Sequence, residues 1–195
     1  ERFPEGIDHV LDHPRAIARR VDDSVLRLID GRLRVLRRAR GLSPEPIALP
    51  AGFEQAPAVL AHGGGSKHSL CMLRHGQAVL SHEMGDLENA RALSDWHAAL
   101  HDLPAGFGCQ PPVLAFDAQP DDRPARQAIA RPPDAVRVLH HHAHLAACLA
   151  DNGWPLHAGP VLGVALDDLG HGTDGQLWGG EFARVDYRQF QRLGC

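Results

Sequence analysis

Four histidines stand at positions 140, 141, 142 and 144, within VLHHHAHLAACL (138–149). Imidazole is the commonest metal ligand and the side chain that changes charge near neutral pH. On a helix, residues four apart share a face, so His140 and His144 can grip one ion. His141 and His142 are rotated off that face by roughly 100–200°. The competing reading is a cluster that only caps and hydrogen-bonds at a helix start. Downstream, GPVLGVALDD (159–168) is an apolar run that ends in Asp167 and Asp168. Such a strand delivers carboxylates at a carboxyl end, where open α/β sheets present ligands. Two histidines and a carboxylate are an ordinary ligand set for Zn²⁺ or Fe²⁺, with a position left open for substrate.

A second group, DDLGHGTDGQLWGGE (167–181), interleaves Asp167, Asp168, Asp174 and Glu181 with Gly170, Gly172, Gly175, Gly179 and Gly180. Glycine lets backbone approach phosphate oxygens closely, and nearby carboxylates can hold a divalent cation. The same pattern also describes a β-hairpin with glycine-rich corners. HGGGSK (62–67) departs from a phosphate loop, which needs Gly directly before Lys and Ser or Thr after it, where Ser66 and His68 stand. Lys67 is nonetheless the one lysine against 19 arginines, and its ammonium is a candidate charge for a ligand. Cys71 reads as core, and no nucleophile elbow or Cys–His pattern occurs.

The elements that must hold these residues follow from periodicity. Asp30-Gly31 predicts a hairpin through SVLRLIDGRLRVLRR (24–38). A proline- and glycine-bearing stretch, GLSPEPIALPAG (41–52), predicts a linker. Runs 58–63, 68–76 and 77–85 read as three strands, followed by a helix capped by Asp86 and running to about Leu103. Its apolar stripe is Leu87, Ala90, Leu93, Trp96 and Leu100. Strands are expected at 112–117 and 135–140 with a helix between them, then the histidine helix, with Cys148 in its core stripe. The strand 159–168 pairs through Asp174-Gly175 with 176–185. There Leu177 and Trp178 are expected to pack inward and Gly179-Gly180 to stay bare for a ligand. The layout is α/β, one lobe of a two-lobed fold with a second lobe beginning.

Composition narrows the classes. No apolar run reaches the ~20 residues of a membrane-spanning helix. A formal charge of −4 argues against nucleic-acid binding through charge. Four scattered cysteines without a CxxC pair read as reduced thiols of a cytoplasmic protein. Residues 1–50 hold 10 arginines against 8 acids and residues 51–195 hold 10 basic residues against 16 acids, which fits a boundary at the linker.

HHHAHLAA followed by GVALDDLGHGTDGQLWGGEF closely resembles the HypF-type carbamoyltransferases of nickel–iron hydrogenase maturation. So do LSHEMGDLEN (80–89), VLAHGGGSKHSLCML (59–73) and RRVDDSVLRLIDGRLRVLRRARGLSPEPI (19–47). The resemblance implies that residues 1–50 end a YrdC-like α/β domain in a β-hairpin tail. Residues 51–195 would be the first lobe and the start of the second of a domain shared with tRNA threonylcarbamoyl transferases. That domain has an actin-like ATPase fold with a mixed sheet and flanking helices. The implied chemistry takes carbamoyl phosphate and ATP with Mg, forms carbamoyl-adenylate, and passes the carbamoyl group to the C-terminal cysteine of a HypE-type acceptor protein. His140, His144 and Asp167 become the metal ligands. Gly170, Gly172, Gly175, Gly179 and Gly180 line phosphates, and Ser24 touches the adenylate. Lys67 and Asp174 are the candidate catalytic groups. Against the family pattern, Asp168 replaces a glycine, His171 an aromatic residue, QPDD (119–122) a His-Pro-Asp-Tyr, and His68 an asparagine. A piece of a longer protein is expected, one that does not complete the reaction alone. The rival readings are a tRNA threonylcarbamoyl or small-molecule O-carbamoyltransferase, and a non-catalytic metal- or nucleotide-binding remnant.

Overall fold

The structure is a computed structural model that describes residues 6–64, 67–119 and 135–195. Gly65, Ser66, most of QPDD and the helix expected between the strands 112–117 and 135–140 lie outside the described residues.

Strands β1 (Val25–Ile29) and β2 (Arg32–Arg37) form the first hairpin, closed by Asp30 and Gly31 at φ 49° and 70°. Positive φ at both central residues is the type I′ geometry that matches strand twist. A six-stranded sheet follows, built from β3 (Ile47–Ala48), β4 (Val59–His62), β5 (Leu70–Arg74), β6 (Gln77–Leu80), β7 (Val113–Asp117) and β8 (Ala135–Val138). The order is β3-β6-β5-β4-β7-β8, antiparallel through β4 and parallel from β4 to β8. Ile47–Ala48, inside the stretch expected to be linker, thus pair with β6.

Helix α1 (Ala90–Gly106) covers this sheet, and Leu60, Leu70, Met72, Val79, Met84, Leu87, Ala92, Trp96 and Leu103 form the core between them. The helix starts later than predicted. Asp86 accepts the Glu88 N–H and shapes a turn, while Asn89 takes the cap by accepting the Arg91 N–H at 2.9 Å.

Helix α2 (His140–Asp151) then packs across β9 (Val161–His171), which joins β10 (Leu177–Val185) and β11 (Phe190–Gly194) in an antiparallel sheet of order β11-β10-β9. The contact is close: a Cβ at Gly163 would lie 2.7 Å from Leu145 Cδ1. Two expectations fail here. Leu177 is exposed, because neighbouring residues of a strand point to opposite faces and Trp178 takes the inner one. Cys148 is also exposed, because the buried side of α2 runs through His141, Leu145 and Leu149. The stripe that Cys148 shares with His144 faces outward.

Candidate metal-binding cleft

The cleft has a volume of about 540 Å³ and lies where β4, β7 and β8 end against the first turns of α2. Its lining includes Lys67, Ser69, Asp117, His140 and His144. Parallel strands β4 and β7 deliver the Gly63-Gly64 turn and Asp117 at their carboxyl ends, as the sheet topology requires. Strand β8 leads directly into α2, with Leu139 as its extended N-cap, so His140 is the first helical residue.

Asp167 keeps the alternation of Gly163 and Ala165, the β9 positions that face α2, and an irregularity in the second sheet begins beside it. Trp178 pairs with Gly170 and Gly180 with Leu166, so Asp167, Asp168 and residue 169 stand opposite Gly179 alone. Such a bulge re-aims a side chain and changes the parity of the strand. Here it lets Gly170 face His141 of α2, and it lets Trp178 and Glu181 share the buried face. His141, fully buried, fastens the bulge to the helix: its Nε2 donates to the Gly179 carbonyl at 3.0 Å. His142 Nε2 is bonded in the same way to the Asp186 carbonyl at 2.7 Å.

Three groups converge. His140 Nε2 lies 2.9 Å from Asp167 Oδ2, His144 Nε2 lies 3.7 Å from the same oxygen, and the two imidazole Nε2 atoms are 3.2 Å apart. The ligand atoms of His140, His144 and Asp167 all fall within 4.8 Å of one another. Asp167 Oδ2 is buried and makes no hydrogen bond of good geometry. An acceptor left in this state beside two imidazole nitrogens fits a divalent cation with nitrogen and oxygen ligands. The hydrogen bond from His140 Nδ1 to Asp117, aided by the charge of Asp167, raises the His140 pKa above the usual imidazole range despite partial burial. Burial works against the Asp117 charge, but His140 and the Gln119 N–H outweigh it and hold that carboxyl below its usual range.

The other predicted residues are placed as follows. Lys67 lines the cleft beside both histidines. Asp174 is not among the lining residues. Its carboxylate accepts the Gln176 N–H at 3.0 Å and the Trp178 indole N–H at 3.0 Å, and so shapes the β9–β10 turn. Gly170 and Gly172 are packing glycines: a Cβ would lie 2.6 Å from His141 Cε1 at the first and 2.1 Å from Trp178 Cε2 at the second. Gly175 turns the chain at φ 76°. Gly179 and Gly180 have open space around them, with nothing nearer than 3.7 and 3.6 Å to an added Cβ. Ser24 sits at the open end of the first hairpin, its hydroxyl held between the Ala39 N–H and the Arg40 carbonyl, both at 2.9 Å.

Asp117 is the residue that the sequence reading missed. It ends a buried-type strand, VLAFD, whose terminal carboxylate at a parallel-strand end was the available signal.

Residues 54–151 match the family described as the HypF Kae1-like domain. Residues 163–195 match the second subdomain of the carbamoyltransferase Kae1-like domain. The carbamoyltransferase HypF of Rhodobacter capsulatus is 45% identical over 99% of this chain and 26% of its own length. That of Rhizobium leguminosarum bv. viciae is 42% identical over 96% of this chain and 24% of its own. A crystal structure of full-length HypF in its phosphate- and nucleotide-bound form superposes with a TM-score of 0.84 at 35% identity, over 92% of this chain and 23% of that one. The T. kodakarensis HypF structure gives a TM-score of 0.74 at 28% identity, over 89% of this chain and 23% of that one. The chain therefore spans about a quarter of the length of these relatives. Its α/β architecture, a mixed sheet with flanking helices, is that of the HypF structures with their Kae1-like domain. By sequence over 54–151, where most of the cleft lies, and by fold over nearly its whole described length, the chain belongs to the HypF carbamoyltransferase family.

Proposed function

We propose that this chain forms the part of an ATP-dependent carbamoyltransferase in which the carbamoyl group is handed to a protein acceptor during nickel–iron hydrogenase maturation. The observation that carries the reading is the convergence of His140, His144 and Asp167 at a cleft that Lys67 also lines, in a chain of this family. Residues 1–50 are assigned to the end of a YrdC-like domain that makes carbamoyl-adenylate from carbamoyl phosphate and ATP with Mg. Residues 51–195 are assigned to the transferase domain. The acceptor is the C-terminal cysteine thiolate of a HypE-type protein, in the cytoplasm, with no nucleic acid or membrane involved. Among the described residues, no helix is long and apolar enough to cross a membrane.

In the transfer step the thiolate sulfur forms a bond to the carbamoyl carbon. The bond from that carbon to the adenylate oxygen breaks, and AMP leaves with the electron pair. Lys67, exposed at the rim of the cleft, is positioned to offer its ammonium to an anionic oxygen bound there. The bare backbone at Gly179 and Gly180 leaves room for phosphate beside the Asp167 bulge. A divalent Zn or Fe held by His140, His144 and Asp167 would supply Lewis-acid polarisation of the carbamoyl oxygen, or a clamp on the phosphates. Asp174 contributes by stiffening the turn through Trp178.

The test uses the full-length protein. Carbamoyl phosphate should trigger conversion of ATP to AMP and pyrophosphate, followed by carbamoylation of the acceptor cysteine, detected by mass. Lys67→Ala should keep AMP formation and lower acceptor carbamoylation about 100-fold or more. A wild-type protein that forms AMP but never modifies the acceptor overturns the transfer assignment.

A further inference from the structure

We propose that Asp117 is a positioning residue that fixes the ring of His140 for metal binding. The inference rests on the reading of His140, His144 and Asp167 as metal ligands. Asp117 is the last residue of β7, and its side chain is only 9% exposed. Its carboxylate is held at one oxygen by the Gln119 N–H at 2.9 Å, and its other oxygen accepts the hydrogen bond from His140 Nδ1. The two residues are placed by adjoining rungs of one ladder. Asp117 pairs with Val138, and the Ala118 N–H donates to the Val138 carbonyl at 2.9 Å, two residues before His140. Strand pairing therefore sets the distance from carboxylate to imidazole, and neither side chain has to find the other.

The consequence is electronic as well as geometric. A ring whose Nδ1 carries the hydrogen and donates it keeps its metal-binding lone pair at Nε2. Nε2 is the nitrogen that lies against Asp167 and His144. Asp117 thereby selects both the tautomer and the face of the ring, and its negative charge makes Nε2 a stronger donor. Among the described residues, His144 has no carboxylate on its Nδ1, and its side chain is 58% exposed. The pair is asymmetric: one histidine is oriented by the fold, and the other turns to meet the ion.

The test is Zn²⁺ affinity of the full-length protein, measured by competition with a chromophoric chelator, together with the visible spectrum of the Co²⁺-loaded protein. Removing such an orienting carboxylate typically costs 10–100-fold in affinity. Asp117→Ala should lie in that range with an altered Co²⁺ band. Asp117→Asn, whose amide oxygen can still accept from Nδ1 but lacks the charge, should fall between it and wild type. A wild-type protein that binds neither ion overturns the metal reading and this inference with it. A wild type that binds, with both variants within twofold of it and the same Co²⁺ spectrum, overturns the positioning role alone. Should Asp117→Ala fail to fold, an unchanged Asp117→Asn is sufficient to overturn it.

Discussion

Beneath the Gly63-Gly64 turn, His68 is fully buried with its ring edge-on to Trp96, 5.9 Å between centroids. Burial pushes its pKa down from the usual 6.5 to about 4, the backbone of Gly64 and Gly63 offsetting part of the effect. Folded His68 thus stays neutral to about pH 4, while the unfolded chain takes up a proton below 6.5. The unfolded state then binds more protons, and stability falls as the pH drops through that window. The full effect is on the order of 3 kcal/mol and absent above pH 6.5. His68→Asn, the residue of the family pattern, should flatten this limb; urea midpoints of both proteins between pH 7.5 and 4.5 measure it. For the histidine cluster, metal analysis of the full-length protein should find His140→Ala and His144→Ala depleted of most Zn or Fe, and Asp167→Asn of part. His142→Ala should keep its metal, since that ring faces the Asp186 carbonyl. His141→Ala should also retain it, at a cost in stability because its ring is fully buried. The i,i+4 logic made legible in the sequence which two of the histidines converge on Asp167. Asp117 was legible only as a carboxylate ending a buried-type strand; its pairing with His140 was not, because that partner is 23 residues away and is reached only through the pairing of β7 with β8.

The glycines of the β9–β10 hairpin separate by what surrounds them, which no spacing rule foretells. Gly172 has the Trp178 ring where a side chain would go, and that ring is fixed by Asp174 and stacked against Phe190. Gly172→Ala is expected to cost about 1–3 kcal/mol in chemical denaturation, the usual penalty for overpacking. Gly180→Val meets only Leu166 Cδ2 at 3.6 Å, on an open face. It should change stability by less than about 0.5 kcal/mol and weaken nucleotide binding in the full-length protein. Equal loss of both would make Gly180 a packing corner like its neighbours. Turn chemistry read well at this level: Asp30 and Gly31 both take positive φ, and Gly175 takes it beside Asp174. Parity did not, because the alternation in QLWGGEF carries no mark of the bulge that places Trp178 and Glu181 on one side. Asn89 outcompeting Asp86 as the helix cap is likewise a choice between two good capping residues that local sequence does not make.

Among the described residues, apolar side chains stand open to solvent on the first hairpin and on the second sheet. Leu28 and Leu33 stand out from the first hairpin, and Leu162, Val164, Leu166 and Phe182 from the outer face of the second sheet. Contiguous apolar faces of this kind promote association. The 195-residue chain should therefore self-associate in concentrated solution. Leu166→Glu, at a position 86% exposed, should reduce that association while moving the unfolding midpoint little. Light scattering after size exclusion reads the first effect and thermal unfolding the second. At this scale the sequence was most informative through resemblance, since periodicity alone gave an α/β lobe without saying which one. The parallel step from β4 to β7 to β8, which puts Asp117 beside the histidine helix, emerges only from the paired strands.

One imidazole touches both sheets. His140 leans on Asp117 from the six-stranded sheet and on Asp167 from the three-stranded one. The ring is in effect a hinge pin, since neither sheet can rotate against the other without stretching one of those contacts. An occupant of the cleft that prefers one angle between the sheets would therefore alter the grip of these residues on the proposed ion, and by thermodynamic reciprocity that ion would alter the grip on the occupant.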